Sequence, residues 1–146
     1  MDAVSFADAN LQVIAAAGGE QQLVLATLLS GADARVLADA LAWQRSQDHQ
    51  VAALDTPEAV LAFRALATLL DEVETIAEQD CGPMMLTHDQ VALLAEAAAR
   101  YVAARHSDEH LPQAESERIE RLRALIGPLF ERVSQMAGAC EQLGPC

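Results

Sequence analysis

The chain has 146 residues, with 22 acids against nine arginines, no lysine, and a formal net charge of −13. Repulsion of that size opposes binding to nucleic-acid phosphate or an anionic membrane surface, and five aromatics (Phe6, Trp43, Phe63, Tyr101, Phe130) leave little for base stacking. A hydrophobic fraction of 52% with 21% charged residues belongs to a globular chain, one long enough to bury a core without disulfides or metals.

The first residues, Met1 to Ser5, have neither the basic start nor the apolar run of a signal peptide, and no window has the length of a membrane span. Cys81, Cys140 and Cys146 are odd in number and scattered, a usage that points to reduced thiols in a cytoplasm.

Helical spacing recurs along the chain, and no stretch alternates with period two over a useful length. A first helix is expected from Ser5 to Ala17, stopped by Gly18-Gly19, and a short second one from Glu20 to Leu29. Ser30 stands three residues before Asp33, a capping-box spacing, and opens a third helix through Leu37, Leu41 and Gln44 that ends in the polar stretch Gln47–Gln50. Thr56-Pro57-Glu58 is the clearest start: threonine caps, proline takes a position whose N–H has no helical partner, and glutamate meets the positive helix end. The fourth helix runs from there to about Gln79, and Cys81-Gly82-Pro83 breaks it.

Thr87 to Gln90 repeats the cap-plus-glutamine pattern and opens a fifth helix through Leu94, Ala98 and Tyr101. His106 to Pro112 reads as a polar linker, and a last helix begins near Ser116, which Gly127-Pro128 should bend or split. The expected fold is therefore all-α, a single compact bundle of about five to seven helices with short loops. A boundary near residue 54 could divide N-terminal helices (1–54) from a C-terminal bundle (55–146).

The acidic run Asp71, Glu72, Glu74, Glu78 and Asp80 is the most informative feature. At 100° per residue Asp71, Glu74 and Glu78 share a strip opposite Val73 and Ile76, and no arginine lies between Arg64 and Arg100 to neutralise it. Glu74 and Glu78 repel at the i,i+4 spacing, and acids at a helix C-terminus oppose its dipole. Such a strip is either a solvated face or a docking surface for a basic protein.

The pair His106 and His110, with His88 as a possible third ligand, has the spacing to present imidazoles on one side of a helix, but no HExxH or CxxC accompanies it. His88-Asp89 resembles the adjacent histidine and aspartate of all-helical metal phosphohydrolases over those two residues alone. Thr87 and Gln90 explain the segment as a helix start. There is no phosphate loop, nucleophile elbow or paired Glu-x-x-His motif, and a lysine Schiff base is excluded by composition. A helix-turn-helix across Leu25–Ala42 is rejected, because Arg35 and Arg45 would meet phosphate beside Asp33 and Asp39.

These readings point to an acidic, non-enzymatic protein-interaction module: an adaptor, accessory factor or inhibitor that can present carboxylates to a basic surface as a nucleic-acid mimic does. No cofactor is expected, and a homo-oligomer is compatible with it. The competing expectation is a small metal-dependent enzyme or sensor built on His88, His106 and His110.

Overall fold

A computed structural model describes residues 9–15, 21–51, 56–106 and 111–143. The described elements run β1 (Asn10–Ala15), β2 (Gln21–Ser30), α1 (Gly31–Val51), α2 (Pro57–Glu78), β3 (Cys81–Leu86), α3 (His88–His106) and α4 (Gln113–Leu143). The expected all-α bundle of five to seven helices is thereby overturned: four helices accompany a three-stranded antiparallel sheet of order β1-β2-β3.

Two expectations fail at the sheet. Within the helix expected over Ser5–Ala17, residues Asn10–Ala15 are strand β1. The short helix expected over Glu20–Leu29 is the central strand β2. The break expected at Cys81-Gly82-Pro83 is kept, with α2 ending at Glu78, and the same residues open strand β3. The reason is visible in β2, where Leu23, Val24 and Leu25 are buried in succession. A surface helix needs a polar face, and Gln21–Ser30 carries no charged residue to supply one; a strand with other groups on both sides does not need it. Pro83 lies on β3, an edge strand, where its missing N–H leaves no gap in a central ladder.

The register sorts side chains onto two faces. Leu11 opposes Leu25, which opposes Leu86, and Val13 opposes Leu23, so these residues share the face that also holds Leu29 and Met84. Leu23, Leu25, Leu29, Met84 and Leu86 join one continuous core with residues of all four helices. On the opposite face Val24 is buried outside that core, whereas Leu28 and Met85 are exposed.

The helices start where local chemistry dictates. The Asp33 amide donates to the Ser30 hydroxyl at 3.2 Å, closing the predicted cap of α1. At α3 the Gln90 amide donates to the Thr87 hydroxyl at 3.3 Å while the Thr87 amide donates to the Gln90 side chain at 2.9 Å, a reciprocal capping box. In α2 the Thr56 carbonyl accepts the first helical bond from Val60 at 3.1 Å, with Pro57 in the opening turn. The last helix is not split: α4 continues through Pro128, whose missing N–H leaves the carbonyl of exposed Ala124 without its helical donor.

Helix α1 is the hub and packs against the other three helices, with α3 and α4 forming a further long contact. The eleven largest fully buried side chains are all leucine, among them Leu37, Leu41, Leu66, Leu69, Leu94 and Leu122. Each removes enough apolar surface from water to contribute about 1.5–3 kcal/mol.

Candidate functional site

Packing on α1 fixes which side of α2 meets solvent. Leu66, Leu69, Leu70, Val73 and Ile76 enter the core, and Asp71, Glu72, Glu74 and Glu78 are exposed on the other side. At 100° per residue these four carboxylates span roughly 160° of the helix circumference. Asp80 follows in the turn, also exposed, with a left-handed backbone at φ 68°. Among the described residues none of the five acids has an ion-pair partner, and the last turn of α2 holds no basic residue. The negative end of the α2 dipole therefore adds to the negative potential of the carboxylates.

Arg118 and Arg121 are paired at a second site with no counterpart in the expectations above. A groove of about 860 Å³ runs between the start of α1 and the first half of α4, lined by Asp33, Arg35, Glu117, Arg118, Glu120 and Arg121 among others. The Arg121 guanidinium donates to the buried Asp33 carboxylate at 2.9 Å, and Arg118 reaches Asp39 at 3.1 Å and Glu115 at 2.8 Å. Glu115 also accepts a 2.5 Å hydrogen bond from the Tyr101 hydroxyl, whose ring lies under Arg105 and meets Trp43 edge-on.

This network ties α1, α3 and α4 together. Burial, strengthened by the bond to Glu115, raises the Tyr101 hydroxyl above its ordinary pKa. Burial also raises the Asp39 carboxyl and outweighs the nearby Arg118 charge. Because both Arg118 and Arg121 already hold carboxylates, the groove presents neutralised pairs rather than a free cationic surface. Arg118 and Arg121 lie three residues apart on one side of α4, and Asp33 and Asp39, which meet them, come from distant positions on α1.

His88 and His106 do not converge. His88 opens α3 and His106 closes it, and 19 residues of helix separate them by roughly 27 Å at 1.5 Å per residue. His110 lies outside the described residues. The His88 Nδ1 atom is 3.7 Å from the Asp89 carboxylate, and its Nε2 is buried without a hydrogen-bond partner among the described residues. Cys81 is exposed at the start of β3. Among the described residues no three His, Cys, Asp or Glu side chains gather closely enough to hold a metal ion, and no helix is long and apolar enough to cross a membrane.

No protein-family model matches the sequence, and neither a curated protein nor a solved structure matches the chain.

Proposed function

We propose that the chain is a protein-interaction module that docks the acidic side of α2 against a basic surface of another protein. One observation supports it above all: Asp71, Glu72, Glu74, Glu78 and Asp80 lie exposed at one helix end without cationic partners among the described residues, while Arg118, Arg121 and Arg123 are each paired within α4's surroundings. A structural salt-bridge face would hold both signs, as α4 does. A face of one sign attracts an oppositely charged partner and speeds encounter at low salt. A partner whose basic groove ordinarily holds nucleic acid fits this chemistry, with carboxylates standing where phosphates would.

The experiment is a capture from source lysate with the immobilised chain, eluted in steps of salt, alongside Asp71→Asn/Glu74→Gln/Glu78→Gln. A stoichiometric basic protein that leaves as salt rises, is lost with the triple variant, and is displaced from the chain by added nucleic acid supports the reading. Equal capture by the wild type and the variant sinks it.

A further inference from the structure

All 22 residues of the three strands are uncharged, so within the described chain the charge sits on the helices and their connections. A chain of net charge −13 repels its own copy, and among the described residues the strands are the elements that two copies can bring together without opposing like charges. The two edges of the sheet differ. Edge β3 contains Pro83, which cannot donate to a further ladder. Edge β1 has neither proline nor charge, the two devices that ordinarily block such an edge.

The side chains of β1 add a second asymmetry. Leu11 and Val13 lie on the core side of the sheet, in register with the fully buried Leu25 and the buried Leu23, yet they remain 36% and 47% exposed. Among the described residues, the helices cover β2 and leave Leu11 and Val13 of the neighbouring strand open to solvent.

We propose that β1 pairs antiparallel with β1 of a second copy about a two-fold axis at Gln12, joining the two sheets into one of six strands. Strand parity restricts the register, because opposed residues of an antiparallel pair share a face and their positions must sum to an even number; of the allowed centres, Gln12 is the one that pairs Leu11 with Val13. Centring on Gln12 sets Leu11 against Val13 of the second copy, and Val13 against its Leu11, on the core side. Asn10 then faces Ile14 on the other side. The exposed leucine and valine become apolar cross-strand pairs that continue the rows begun by Leu25 and Leu23. This contact is independent of the acidic side of α2 and responds oppositely to salt. Screening the repulsion between two −13 chains tightens the pair, while it loosens a complex with a basic partner.

Sedimentation across low to high micromolar concentration, at two salt levels, tests it. The expected result is a reversible species of twice the 15.6 kDa chain mass that strengthens with salt and is lost in Val13→Lys. Because Val13→Lys can also disturb folding, a second measurement uses a chain with Cys81, Cys140 and Cys146 replaced by serine. In that background Gln12→Cys crosslinks to its own copy on mild oxidation, because residues facing each other across a strand pair have Cα atoms about 4.5–5.5 Å apart. Asn10→Cys does not, since its two copies are offset by four residues, roughly 14 Å along the strand. A wild-type chain that stays monomeric throughout, or Asn10→Cys crosslinking as readily as Gln12→Cys, overturns the proposal.

Discussion

The Gly31 amide donates a 2.6 Å hydrogen bond to the Asp80 carbonyl, one step beyond the Ser30–Cys81 pair that ends the β2–β3 ladder. The bond links the first residue of α1 to the turn that follows α2, so it sets where the acidic helix end emerges from the sheet. The approach leaves no room for a side chain: a Cβ on Gly31 would lie 2.7 Å from the Asp80 Cα and 2.8 Å from its carbonyl oxygen. Gly31→Ala is expected to destabilise by about 1–3 kcal/mol, the range of forced overpacking, because the atoms it meets are backbone. Urea unfolding measures this; an unchanged midpoint would show that the turn gives way freely.

Asp80 bears the other half of that contact in a left-handed conformation that glycine adopts without steric cost. Asp80→Gly is expected to leave stability unchanged or raise it by up to about 1 kcal/mol, the benefit of relieved backbone strain less the added freedom of the unfolded chain. Asp80→Val, with a branched side chain at positive φ, is expected to destabilise clearly. Thermal melts of the two variants should therefore move in different directions or by very different amounts.

The single tyrosine makes the polar network observable. Burial and then the hydrogen bond to Glu115 hold the Tyr101 proton, so its ultraviolet titration should have a midpoint above 10, and Glu115→Gln should bring that midpoint down. The hydroxyl's raised folded pKa stabilises the fold below pH 10, and that contribution is lost as pH rises through the folded value. A midpoint at or below 10 in the wild type would contradict the hydrogen bond to Glu115.

Asp39 acts at the acid end. Its folded pKa lies above 3.8, so between 3.8 and the raised value the folded state holds a proton that the unfolded chain releases. Stability attributable to this group falls as pH rises through that window, opposite to an ordinary salt-bridged carboxylate. Asp39→Asn should flatten the wild-type slope there in urea unfolding at stepped pH; an identical slope in both proteins would remove Asp39 as its source.

The acids of α2 predict a change in stability even without a partner. Asp71→Asn/Glu74→Gln/Glu78→Gln removes an i,i+4 repulsion and a negative charge beside the helix C-terminus, worth together about 0.5–1 kcal/mol at low ionic strength. The triple variant should unfold later than the wild type at low salt, and the gap should close in molar salt. A variant that is less stable at low salt would mean that these carboxylates take part in folding the chain.

Helix starts were legible because their chemistry is local. Ser30 and Asp33, Thr56 and Pro57, and Thr87 and Gln90 act within one turn of backbone, and the starts expected there are the starts of α1, α2 and α3. The strands were not legible for the opposite reason. Gln21–Ser30 is a short, charge-free, leucine-rich run whose conformation is decided by β1 and β3 alongside it, and periodicity cannot separate such a run from a buried helix. Its short length and lack of any charge were the available signals. The acidic side of α2 could be read from spacing alone, since it lies within one helix. The groove between α1 and α4 could not, because it depends on Asp33 meeting Arg121 across 88 positions of sequence.

The order of elements also has a cost in time. β2 is the central strand, yet its second neighbour, β3, follows it only after α1 and α2, about fifty residues later. At roughly 5–20 residues per second, a ribosome needs about three to ten seconds to deliver β3. Throughout that interval a nascent hairpin of β1 and β2 holds one uncapped, uncharged, leucine-rich border in the crowded cell. Birth is therefore the stage at which this chain is most exposed to wrong pairing, and holdase chaperones or faster translation between β2 and β3 should raise its yield more than any gain in the stability of the finished fold.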